Sequence, residues 1–173
     1  MSYWSDRAGL EYYRVVREIL DGMGPLASLL DVGCWDTPVA TWGDVDQRYT
    51  VDPRPRPELP GVRAIVGRWP DCSHEVPVCD VAMALQVLEH LANPVAFCGP
   101  LFAAARRAVI IRVPWGWPAI AEPSHLQDPV DGPKLASWTG READELRIVP
   151  GCGPRAVAVY RISHDVSGWS GLL

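Results

Sequence analysis

Leu29-Leu30-Asp31-Val32-Gly33-Cys34-Trp35-Asp36-Thr37-Pro38 is the stretch on which the fold of this chain turns. Ser28, Leu29, Leu30 and Val32 form an apolar run without helical spacing, the pattern of a strand buried on both faces. Gly33 ends it with the backbone freedom that a strand end often needs. In an open parallel sheet, ligands bind in the crevice beyond the carboxyl ends of the strands, and the first strand-to-helix turn is its floor. Tyr49-Thr50-Val51-Asp52 closes a second short strand with an acid about 20 residues on, the spacing at which such folds hold a ribose diol. Taken singly, Gly33 is explained by a turn and Asp52 by a loop cap. Their joint spacing favours a nucleoside-bearing cofactor. A dinucleotide fits poorly, because Trp35 and Pro38 stand where a pyrophosphate needs small residues.

At 173 residues, with 48% hydrophobic and 21% charged, the chain is sized for a single domain, 1–173, with its own core. A net charge of -5 argues against holding nucleic acid through its phosphates. Arg54, Arg56, Arg63 and Arg68 are the one local basic group, diluted by prolines and Glu58, and read as cofactor-proximal or solvated surface. Five cysteines, Cys34, Cys72, Cys79, Cys98 and Cys152, show no CxxC pair and follow no apolar leader, which suits reduced, buried thiols in the cytoplasm. The four histidines are far apart, so no metal site is expected. No apolar run approaches the roughly 20 residues that cross a bilayer, so no membrane association is expected.

Apolar spacing predicts a helix over 8–21, capped by Asp6 and stopped by Gly22, within an N-terminal helical region 1–25 that places Tyr3, Trp4, Tyr12 and Tyr13 near a pocket mouth. Residues 37–42 have room for only a turn or two of helix, and the prolines of 53–60 forbid one altogether. That proline run also has the composition of a partner-domain ligand, although a rigid inter-strand loop is the simpler reading. Strands are predicted at 48–52, 62–66, 79–85 and 108–114, with a helix over 94–107. Strands alternating with helices imply a parallel sheet. Residues 115–132 should form a loop over the site and 133–144 a short helix. Two closing strands at 146–149 and 156–162 follow, the last antiparallel.

The order of Leu29-Leu30-Asp31-Val32-Gly33-Cys34, Thr50-Val51-Asp52, Cys79-Asp80-Val81-Ala82-Met83-Ala84-Leu85-Gln86-Val87-Leu88-Glu89-His90-Leu91 and Val109-Ile110-Ile111-Arg112-Val113-Pro114 resembles the class I S-adenosylmethionine-dependent methyltransferases, most closely their small single-domain members. The resemblance covers about residues 26–114 and is most specific at Val87-Leu88-Glu89-His90-Leu91. It implies a Rossmann-like α/β/α sandwich with a mostly parallel seven-stranded sheet whose last strand is antiparallel. It also implies S-adenosylmethionine as cofactor. Asp31 and Gly33 would line its methionine part and Asp52 would hold the ribose, with Cys34, Trp35 and Pro53 alongside. Arg68 and Trp69 would lie by the adenine, and Leu85, Gln86 and His90 beside the cofactor near the incoming substrate. Two departures stand out: Trp35 and its neighbours replace further glycines, and Arg68 stands where relatives carry an acid.

The expected chemistry is in-line methyl transfer to oxygen or nitrogen of a small-molecule acceptor, which needs positioning and, for a hydroxyl, a base. His90 and His125 are the candidates, each equally explicable as a packing or loop residue. Glu89 reads as a helix-turn acid or a partner to a catalyst, and His74 and His164 as surface. Trp115, Trp117 and Trp138 could wall the acceptor or fill core. With no added recognition domain, this fold must hold the acceptor itself or with a second copy as a homodimer. The alternative is a methyltransferase fold that has lost catalysis and serves as a binding or assembly partner, which Trp35 filling the hollow above the first strand would favour. A nicotinamide-dependent reductase ranks behind both for want of phosphate-binding glycines.

Overall fold

The computed structural model describes residues 3–119, 121–151 and 153–163; Cys152 and His164 lie outside them. The elements run α1 (Glu11–Gly22), β1 (Leu26–Val32), β2 (Val45–Asp52), β3 (Val62–Val66), β4 (Cys79–Leu85), α2 (Pro94–Ala103), β5 (Ala105–Pro114), α3 (Gly132–Thr139), β6 (Glu145–Val149) and β7 (Arg155–Arg161). They build a seven-stranded sheet in the order β3-β2-β1-β4-β5-β7-β6. β1 pairs with β2 and β4 in parallel, as do β2 with β3 and β4 with β5, whereas β7 runs antiparallel to both β5 and β6. This is the mostly parallel, helix-flanked sheet with an antiparallel last strand that the sequence predicts.

Period-two alternation along the central strands divides the core between two layers. Val81, Met83 and Leu85 of β4 and Ala108 and Ile110 of β5 face α1, which buries Tyr12, Tyr13, Val15, Val16, Ile19 and Leu20 against them. Ala82, Ala84, Val109, Ile111 and Val113 point the other way, under Phe97, Cys98 and Leu101 of α2 and Leu135 and Trp138 of α3. From β1 the chain winds outward to β2 and β3 and then returns to β4 on the other side. That reversal between β1 and β4 is the topological switch point, where such sheets open a crevice.

Several expected boundaries move. α1 starts at Glu11 rather than 8, and Leu10, with no side-chain cap, precedes it instead of Asp6, because 3–9 forms turns that lie along the crevice. α2 stops at Ala103 rather than 107, since Ala105 already pairs with Cys79 in the sheet. α3 ends at Thr139 rather than 144, where Gly140 takes the left-handed conformation at φ 74°. Between strands, α-helices stand only from β4 to β6. Residues 33–44 and 67–78 contain single 3-10 turns, Val39–Thr41 and Ser73–Glu75, and 53–60 is a proline-ruled loop. Cys34, Cys72, Cys79 and Cys98 are free and buried. Among the described residues no helix is long and apolar enough to cross a membrane.

Candidate active site

A cavity of about 890 Å³ opens at the switch point. Asp31, Gly33, Cys34 and Trp35 line it from the end of β1, and Asp52 and Pro53 from the end of β2. Arg68 and Trp69 follow β3, Leu85, Gln86 and His90 follow β4, and His125 comes from the loop after β5. The fold thus brings the residues expected to bind cofactor or act in catalysis to one cavity. Tyr3 and Tyr13 reach it as expected, but Trp4 packs against Tyr13 and Trp42, and Tyr12 lies under the Arg112 guanidinium. Arg54 joins the lining and Arg63 does not. Asp6, Arg7, Asp71 and Glu122 also line it, although nothing in their local sequence sets them apart from surface charges.

The floor is tightly constrained. Gly33 has φ 77°, and a Cβ there would meet Val87 Cγ2 at 2.4 Å, so any other residue strains the backbone and displaces the Val87 side chain. Trp35 and Gln86 hold positive φ without being glycine, at 44° and 62°. Backbone held in that region costs about 1–3 kcal/mol and gathers where ligands are held. The Trp35 N–H donates to Asp52 Oδ2 at 2.8 Å and the Arg54 N–H to Asp52 Oδ1 at 2.9 Å, fixing a carboxylate that is only 2% exposed. The Trp35 ring is 43% exposed, stacks on Tyr3 with centroids 4.8 Å apart, and carries the Arg54 guanidinium 3.7 Å from its centre. It forms wall and leaves the hollow open.

Asp31 Oδ2 is buried without a hydrogen-bond partner. Burial pushes the Asp31 carboxyl up to about 7, with the Asp52 charge adding to the rise and Arg56 opposing it. Burial likewise pushes the Cys34 thiol up to about 12, so it stands in the cavity as an inert thiol.

Across the cavity the two imidazoles meet edge to face, with centroids 4.9 Å apart. His125 Nδ1 pairs with Asp128 Oδ2 at 2.6 Å, and His90 Nδ1 with the Ser124 carbonyl at 3.0 Å. The loop carrying His125 is tied down by the Leu126 N–H donating to the Glu89 carbonyl at 2.8 Å and by the Gln127 amide donating to the Leu91 carbonyl at 2.8 Å. Behind it, Glu89 is 1% exposed side chain against Arg112 at 2%, with Oε1 3.5 Å from Nη1. Burial drives the Glu89 pKa up and the Arg112 pKa down, each opposed by the other's charge. Glu89 Oε2 has no partner. Of the three tryptophans offered as an acceptor wall, none lines the cavity: Trp117 packs against His125 with centroids 5.5 Å apart, Trp138 is core, and Trp115 packs against that core. His74 is exposed, as expected.

No family model matches the sequence, and no curated protein does. Solved structures do. The N-methyltransferase NodS from Bradyrhizobium japonicum WM9 aligns at TM-score 0.64 with 8% identity, over 88% of this chain and 94% of its own. Magnesium protoporphyrin IX methyltransferase (ChlM) from Synechocystis PCC 6803, solved with S-adenosylhomocysteine (SAH) bound, aligns at 0.62 with 13% identity, over 88% and 84%. A putative methyltransferase from Bacillus halodurans C-125 aligns at 0.61 with 13% identity, over 86% and 97%. At these identities the likeness is one of architecture: the chain has the fold of the class I S-adenosylmethionine-dependent methyltransferases.

Proposed function

We propose that the protein transfers the methyl group of S-adenosylmethionine to oxygen or nitrogen of a small-molecule acceptor. The observation that carries the reading is Asp31, a carboxylate with one oxygen buried and unpartnered at the floor of a cavity of about 890 Å³. A cationic amino group answers that oxygen, and the volume lies within the ordinary range of small-ligand sites. The fit extends to the other walls. Asp52 is held by two backbone N–H groups and by the Arg54 guanidinium, whose Nε lies 3.2 Å from Oδ1, and the acceptor capacity left on Oδ2 suits a ribose hydroxyl. Trp69, with its indole N–H donating to the Phe97 carbonyl at 3.2 Å, gives a fixed apolar surface for a purine. Arg68 can stack on the ring, and Asp71 offers the acidic group that Arg68 does not. When bound, the sulfonium supplies an electrophilic methyl group.

His125 is the group best placed to take a proton from the acceptor. Its Nδ1 is committed to Asp128, which leaves Nε2 as the basic atom and holds the ring in one orientation. Leu85 and Gln86 would then line the cofactor side and His90 the acceptor side. Free, buried thiols fit a cytoplasmic setting. A binding-only role would have been favoured by Trp35 occupying the hollow, and Trp35 instead stands in its wall. The test is calorimetric titration with S-adenosylhomocysteine of the unaltered protein, Asp31→Asn and Asp52→Ala. Saturable binding weakened about tenfold or more in both variants supports the reading. No measurable binding by the unaltered protein overturns it.

A further inference from the structure

We propose that Glu89, His90 and His125 form a binding site for a divalent transition-metal ion in the wall of this cavity. The sequence offers no such spacing, since the two histidines lie far apart and only the return of the 122–128 loop over the end of β4 brings them together. One ligand atom from each of the three residues lies within 4.8 Å of the others. Ligands about 2.1 Å from one tetrahedral ion sit roughly 3.4 Å apart, so closure takes side-chain rotations of about an ångström.

The protonation pattern is already that of a metal site. The Ser124 carbonyl can only accept, so His90 must carry its proton on Nδ1, and the carboxylate of Asp128 asks the same of His125. On each ring Nε2 is therefore the nitrogen left to ligate. Ligating imidazoles have their other nitrogen held in this way by a carbonyl or carboxylate. The independent observation is Glu89: 1% exposed, with Oε1 facing Arg112 and Oε2 buried without any partner. An unpaired buried carboxylate oxygen is costly, and a cation satisfies it.

Two imidazoles and one carboxylate favour zinc, iron, cobalt or manganese over calcium or magnesium, and leave coordination positions open toward the cavity. Arg112 already compensates the Glu89 charge, so the imidazoles supply most of the affinity and binding should be moderate. One consequence rests on the methyltransferase reading. A hydroxyl acceptor ligated there would lose its proton to solvent water. Its oxygen lone pair would then form the C–O bond as the donor's C–S bond breaks; His125 would be a ligand in the ion-bound form and the base in the ion-free form.

The test uses the full-length protein without cofactor, titrated with Co²⁺ and with Zn²⁺. Expected are one equivalent bound by calorimetry, visible Co²⁺ absorption bands of nitrogen ligation, and at least about tenfold weaker binding in His90→Ala and in His125→Ala. Binding in His74→Ala, altered at an exposed histidine elsewhere, should match the unaltered protein. Because His90 is exposed, His90→Ala should melt like the parent, which separates lost ligation from lost fold. Binding that His90→Ala and His125→Ala leave unchanged, or no saturable binding in the micromolar range, overturns the proposal. Cofactor binding, measured separately with S-adenosylhomocysteine, is untouched by either result.

Discussion

Gly33 and Val87 sit so close that a Cβ on the glycine would lie 2.4 Å from Cγ2 of the valine. The contact joins the turn after β1 to the turn after β4, the two sides of the switch point. Gly33→Ala should therefore destabilise twice over. A left-handed backbone without glycine costs about 1 kcal/mol, and displacing Val87 about 1–3 kcal/mol more. Urea denaturation of Gly33→Ala, Val87→Ala and the double variant checks this. The double variant should recover the steric share and not the backbone share.

Asp31 makes the site sensitive to pH near neutrality. Its folded pKa of about 7 lies above the unfolded value, so the protonated carboxyl favours the fold. That share of stability is fully present below the ordinary carboxylate pKa and is lost as pH rises through about 7. Asp31→Asn should accordingly be more stable than the parent at pH 8, with the gap closing toward pH 5, as thermal melts will read. Ligand binding has the opposite sign, because a cationic amino group needs the ionised form. S-adenosylhomocysteine should bind roughly tenfold more tightly at pH 8 than at pH 6, and Asp31→Asn should flatten the profile.

The His125–Asp128 pair should be visible in solution as an Nδ1-protonated imidazole, read by nitrogen-15 chemical shifts. Asp128→Asn removes the charge that fixes this tautomer. It should mix the tautomers and lower methyl transfer from labelled S-adenosylmethionine by about a hundredfold or more once an acceptor is in hand.

Glu89 and Arg112 are each other's compensation in a place closed to bulk solvent. Arg112→Leu should cost about 3–5 kcal/mol by leaving a buried carboxylate unanswered. Adding Glu89→Gln should recover much of that loss. Chemical denaturation of the two variants gives the comparison, and an Arg112→Leu protein as stable as the parent would show the pair to be idle.

Much of this could be read along the chain, for local reasons. β4 is seven consecutive buried residues, Cys79–Leu85, and its limits follow from composition alone. Asp52 and Gly33 reach the crevice because strand ends in a parallel sheet converge there, so spacing suffices to place them. The end of α2 was not legible, since Ala104 and Ala105 suit helix and strand equally and pairing with Cys79 settles the matter. Asp6 looked like a cap, yet 3–9 is spent in turns that lay Tyr3 on Trp35, a contact no local pattern announces. His90 and His125 were each named, but their meeting is a property of the loop between β5 and α3. Only Asp128, three residues beyond His125, left a short-range signal that the sequence reading did not use.

That loop has one more implication. The His90 ring holds the Ser124 carbonyl, the Leu126 amide is fastened to Glu89, and Gln127 reaches Leu91, so the roof is riveted to the chain beneath it. A ceiling fixed in this manner does not swing aside for traffic. Any adjustment of the cavity to what enters it therefore falls to walls outside that loop, such as the turns that carry Tyr3 and Arg7.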